Sequence, residues 1–108
     1  MTTDEFNSFR EKFNLECVAA LTSKGVEYAG RKDRLNNFKS VSERTGQTPL
    51  QVWSIYALKH LDSILSYVRE GKVFSESIRS RFMDARNYLD LGLALIEEST
   101  AAPKEVRR

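Results

Sequence analysis

"TPLQVWSIYALKHLDSILSYVREG", residues 48–71, decides the fold. It opens on a helix start. Thr48 can cap, Pro49 suits the first helical position because its missing N–H has no intrahelical partner there, and Gln51 completes a Thr-x-x-Gln capping box. Trp53, Tyr56, Ala57, His60, Ile64 and Tyr67 then recur at steps of three and four, the period of one helical face, as far as Gly71. A helix of this length spans roughly 30 Å at about 1.5 Å per residue and needs an equally long neighbour to cover it.

That neighbour follows directly. A second periodic run starts near Ser75 and continues to about Glu98, with Ile78, Phe82, Ala85, Leu89, Gly92 and Ile96 spaced alternately four and three. A turn centred near Val73 joins the two arms into a long αα-hairpin. Upstream, Thr2 and Glu5 have capping-box spacing, and Phe6, Phe9, Phe13, Cys17 and Ala20 mark one buried face of a first helix with Gly25 as its expected stop. A short second helix is predicted from about Asp33, turning Leu35, Phe38 and Val41 inward until "RTGQTP" ends it. The expected fold class is therefore all-α. It is a four-helix bundle-like domain with a long C-terminal αα-hairpin, covering residues 1–98 as a single domain and leaving 99–108 as a flexible tail.

Besides its main stripe, the fourth helix carries a second apolar flank of Tyr88, Leu91 and Leu95, which one neighbour cannot also cover. Either that helix is central in the bundle or the flank meets a second copy, and a homo-oligomer is expected. Lysine and arginine number 17 against 15 acids, a net +2 that gives no field for general nucleic-acid binding. Any anion site must be local. The single cysteine, Cys17, has no internal partner, and no signal peptide or membrane span is apparent, so no membrane association and a reducing cytoplasmic location are expected.

Two regions hold chemistry-bearing residues. In "GVEYAGRKDRLNNF", residues 25–38, Tyr28, Arg31, Lys32, Arg34, Asn36 and Asn37 stand together. Arginine forks and backbone donors suit phosphate while an aromatic ring suits a base, although three close bases also describe a solvated run, and Asp33 and Asn36 serve equally to cap and turn the chain. In the hairpin, antiparallel arms turning near Val73 set Lys59 level with Asn87, His60 with Arg86, and Asp62 with Asp84. "KHLD" and "DARNY" thus meet halfway along, as polar clusters do where helical bundles build ligand sites. Each member has a structural alternative: His60 as a buried histidine with one hydrogen bond, Lys59 and Asp62 as a surface pair, Asp84 and Asn87 as partners of a base, a metal or another subunit. No phosphate loop, dinucleotide fingerprint, zinc spacing or nucleophile with a base occurs, so nucleophilic catalysis is not expected.

"EYAGRKDRLNNFKSVSERTGQTPLQVW", "KHLDSI" and "DARNYLDL" together resemble a family of small phage and prophage proteins, itself distantly similar to the all-α MazG-like nucleoside triphosphate pyrophosphohydrolases. The likeness spans about residues 25–98 and implies a helical, oligomeric nucleotide-binding scaffold. The MazG-like reaction needs magnesium held by Glu-x-x-Glu and Glu-x-x-Asp pairs, because a small hard cation must clamp the pyrophosphate and activate a water. Here the corresponding places carry Lys59, His60 and Asp62 on one helix and Asp84 with Asn87 on the next. This balance suits capture of a nucleotide or nucleotide-derived signal without cleavage, as a phage protein countering a host defence messenger in the bacterial cytoplasm. The expected ligand-binding residues are Tyr28, Arg31, Arg34, Asn37, Lys59, His60, Arg86 and Asn87, with no cofactor. The alternatives are a MazG-like enzyme with Asp62 and Asp84 as magnesium ligands and Lys59 on the leaving phosphate, and a protein-interaction module.

Overall fold

A computed structural model describes residues 1–27, 32–73 and 75–101, together with the backbone of 28 and 29. Every regular element among them is an α-helix: α1 (Thr3–Ala29), α2 (Asn36–Thr45), α3 (Pro49–Glu70) and α4 (Ile78–Thr100). The two capping-box starts read from the sequence are built as expected. Thr2 and Glu5 exchange side-chain bonds with each other's backbone N–H at 3.1 and 3.2 Å. Thr48 and Gln51 do the same at 2.8 and 3.1 Å, with Pro49 next in line. Gly46 and Gly71 end α2 and α3 in the left-handed conformation that only glycine adopts without strain.

α3 and α4 run along each other as the hairpin, α2 packs on α3, and α1 packs on both α4 and α2. The helices thus close into a ring of neighbours. At its centre Phe38 is wholly buried against Leu35, Val52, Leu91 and Leu95, with Leu21, Trp53 and Tyr88 packed around them. Burying such side chains is worth roughly 1.5–3 kcal/mol each, so this cluster holds the four elements in one core.

Four expectations require correction. Gly25 does not stop α1: the helix continues to Ala29, and Gly25 is buried inside it. A Cβ there would lie 2.2 Å from Nε of Arg34, so the glycine makes room for the incoming chain and does not cap a helix. α2 begins at Asn36, three residues later than expected, because Asp33 sits in the preceding turn, where its carboxylate accepts from the Leu35 N–H at 3.0 Å. α4 begins at Ile78 under a Ser77 cap and continues through 99 and 100; residues 102–108 of the expected tail lie outside the described residues.

The fourth correction concerns the faces of α4. Its buried positions are Arg81, Ala85, Asn87, Leu91, Gly92 and Leu95, whereas Phe82, Leu89 and Ile96 of the expected main stripe are exposed. The second flank is the core side, with Leu91 and Leu95 each 6% exposed, so this flank is internal and does not meet a second copy. Hydropathy misplaces the face because two polar residues on it find carbonyl partners on neighbouring helices, although Arg81 Nε is buried without a hydrogen bond of its own. Asn87 Nδ2 donates to the Cys17 carbonyl at 3.0 Å, and Arg81 donates through Nη1 to the Ser63 carbonyl while Nε lies 3.7 Å from Glu76. Gly92 completes the seam. Trp53 lies so close to it that a Cβ would be 2.4 Å from the indole ring, and Nε1 donates to the Tyr88 carbonyl at 2.6 Å.

Candidate functional site

A cavity of about 520 Å³ opens beside this core, and all four helices contribute to its wall. Leu21 and Lys24 come from α1, Arg34 from the turn before α2, and Asn37 from α2. Tyr56, Lys59 and His60 come from α3, and Asp84, Asn87, Tyr88 and Leu91 from α4. The volume falls in the range of small-molecule sites, and the lining has their mixture of aromatic surface and a few convergent polar groups.

The floor is aromatic and firmly held. The Tyr88 ring meets Phe38 edge-on at 6.1 Å, lies 4.4 Å from the His60 ring and 6.4 Å from Tyr56, while its own carbonyl is tied to Trp53. These contacts fix a flat π-face in place before any ligand arrives.

The electrostatics are unbalanced. Lys24 reaches across from α1 to Asp84 at 2.8 Å, and the Asp84 side chain is only 16% exposed. Arg34 and Lys59 have no hydrogen-bond or ion-pair partner among the described residues. Three cations therefore face one carboxylate, and the lining keeps an excess of two positive charges. His60 does not add to it: burial holds its pKa below the ordinary histidine value, offset in part by Asp84 and reinforced by Lys24 and Lys59. Asn37 contributes the opposite kind of vacancy, since its Oδ1 is buried and accepts no hydrogen bond. A buried amide oxygen without a donor costs on the order of 1–3 kcal/mol, which a ligand N–H or O–H would recover.

Of the residues expected from the sequence, the cavity brings together Arg34, Asn37, Lys59, His60 and Asn87. Arg86 is not among them. It turns to α1, where Nη2 donates to Asn14 Oδ1 at 2.6 Å and the guanidinium lies 5.7 Å from the Phe13 ring, because the next helical position, Asn87, takes the inward direction. The side chain of Tyr28 and the whole of Arg31 lie outside what the structure describes. Asp62 is exposed and absent from the lining, so the expected pairing with Asp84 is not formed, and the carboxylate opposite Asp84 is replaced by a lysine.

Lys24 and the Tyr56–Tyr88 floor were not in the expected set. Lys24 carries a sequence signal only once Gly25 is seen as an interior helix position, which places the lysine one turn beyond Leu21 on the inward face. Cys17, whose carbonyl holds Asn87, is not in the cavity wall; desolvation by burial raises its pKa above the ordinary thiol value, which keeps the unreactive thiol form. Chemically, Arg34 and Lys59 offer charged donors to an anion, Tyr88 an aromatic face, and Asn37 an acceptor. No family model, curated protein or solved structure matches this chain.

Proposed function

We propose that this protein binds a nucleotide or nucleotide-derived signal and holds it intact. The observation that carries the reading is the pair Arg34 and Lys59, two cations without partners among the described residues, in a cavity whose floor is an immobilised tyrosine. The phosphate takes charge-assisted bonds from Arg34 and Lys59, the base lies on Tyr88, and Asn37 Oδ1 accepts from the base edge. Capture is favoured over hydrolysis by the carboxylates present. Asp84 is engaged by Lys24 and Asp62 points elsewhere, so the two are not presented to a common magnesium ion. As a phage-type protein in a bacterial host cytoplasm, such a scaffold lowers the free level of a host messenger by mass action, and assembles as a homo-oligomer.

The test is retention. Purified protein is incubated with a panel of nucleotides and cyclic nucleotides, with and without magnesium, then heated to release what it holds. Recovery of intact ligand, lost in Arg34→Ala and Lys59→Ala, is the expected result. Conversion of the ligand would establish the MazG-like enzyme instead, and absence of retention would leave the cavity without this function. Each substitution removes a charged hydrogen bond worth roughly 1.5–3 kcal/mol, or about ten- to a hundredfold in affinity.

A further inference from the structure

The outer face of the α3/α4 hairpin presents large apolar side chains that no element among the described residues covers. Its position follows from the helical period. Around α4, Asn87 meets α1, Leu91 and Tyr88 face the cavity, and Gly92 meets Trp53 of α3. One step further at about 100° per residue come Phe82, Leu89 and Leu93, beyond the seam and away from the cavity. Around α3 the same order holds. Tyr56 and His60 face the cavity, Trp53 and Ala57 the seam, and next come Leu58, Leu61 and Leu65. The two stripes therefore lie side by side on one surface. Leu58, Leu89 and Leu93 are 60%, 58% and 57% exposed. At the two ends Val68 and Ile96 extend the surface, and no Asp, Glu, Lys or Arg interrupts either stripe.

We infer that this face is covered by a second copy of the chain, hairpin on hairpin, about a two-fold axis. The area fits. Eight large apolar side chains, each between 43% and 71% exposed, lie together on this face, on the scale of a standard stable interface of roughly 800 Å² per partner and not of the scattered single residues of an ordinary monomer surface. The chemistry selects a self-complementary partner. A face without charge carries no pattern by which a foreign protein is recognised, whereas depletion of charge and apolar content above the surface average are the marks of homodimer interfaces. Two hairpins packed on such faces also complete a four-helix arrangement, and a two-fold lays each stripe on its own copy. The cavity lies on the other side of the seam and takes no part, so this inference stands or falls independently of the ligand.

Sedimentation velocity and light scattering on the full chain test it. The wild type is expected at twice its 12.4 kDa mass. Leu61→Glu and Leu89→Glu should each weaken the dimer at least about a hundredfold, to a monomer with unchanged helical circular dichroism, since both residues lie outside the core. If a buried charge at these positions impairs folding, Leu61→Ser/Leu89→Ser supplies the same test without one. A wild type that stays monomeric at about 100 μM, or a dimer that survives folded Leu61→Glu/Leu89→Glu, would overturn the proposal.

Discussion

Gly25→Ala separates stability from binding in a way that only this geometry predicts. Gly25 lies in the interior of α1, where exchanging glycine for alanine favours a helix by about 1 kcal/mol. The added methyl would meet Arg34, at 2.2 Å from Nε and 2.7 Å from Cδ. These are the far atoms of a flexible side chain, so the guanidinium moves aside and the backbone stays. An off-rotamer displacement costs about 0.5–1.5 kcal/mol, which offsets the propensity gain and leaves the melting midpoint within a few degrees of the parent. Binding does not share this compensation. Arg34 is pushed from its place in the cavity wall, and the charged hydrogen bond it offers an anion is lost, for about 1.5–3 kcal/mol or a ten- to hundredfold weaker association. Thermal melts paired with calorimetric titration of the retained nucleotide read both quantities. A double-mutant cycle adds the control: if the alanine acts through Arg34, Gly25→Ala/Arg34→Ala binds no worse than Arg34→Ala alone. Parental affinity in Gly25→Ala, or a loss of more than about 3 kcal/mol in stability, would refute the reasoning, the first by showing that Arg34 does not contact the ligand and the second that it cannot move.

At the other buried glycine the same substitution has the opposite outcome. A Cβ at Gly92 would sit 2.4 Å from the Trp53 ring, which is rigid and bonded to Tyr88, so Gly92→Ala should destabilise by about 1–3 kcal/mol in urea denaturation. Thr48→Ala removes one half of a complete capping box and should lower stability by about 1 kcal/mol, measured by the same titration, while leaving ligand affinity intact. The His60 pKa is depressed in the folded state by burial, so the unfolded chain takes up the proton first. Its contribution is fully present above about pH 6.5 and is lost as the pH falls from there toward the folded value, and His60→Gln should flatten that part of the pH–stability curve without altering the part above it.

How far the sequence was legible follows from which forces act locally. The helix starts at Thr2, Thr48 and Ser77 and the stops at Gly46 and Gly71 depend on side chains within a few residues, and the capping boxes could be read directly. The hairpin too was legible, since a long period on both sides of one turn leaves few other arrangements, and it brought Lys59 and Asn87 to one cavity. Gly25 marks the limit. A glycine after a periodic run reads as a stop, and only the approach of Arg34 from nine residues later turns it into an interior position.

The faces of α4 mark a second limit. Periodicity counts hydropathy, and it chose Phe82, Leu89 and Ile96 because Arg81 and Asn87 add no apolar weight to the face on which they are buried. Burial of those two depends on a carbonyl of α3 and a carbonyl of α1, partners that exist only once the helices are docked. The cavity's charge was settled in the same way. Lys24, Arg34, Lys59 and Asp84 come from four separate parts of the chain, and which cation is neutralised depends on the reach of one lysine across 60 residues of sequence. Local propensity and turn chemistry therefore determined the helices and the hairpin. Tertiary packing alone decided which apolar face became core, which was left exposed, and which cations stayed unpaired, because burial and charge pairing are properties of neighbours distant in the chain.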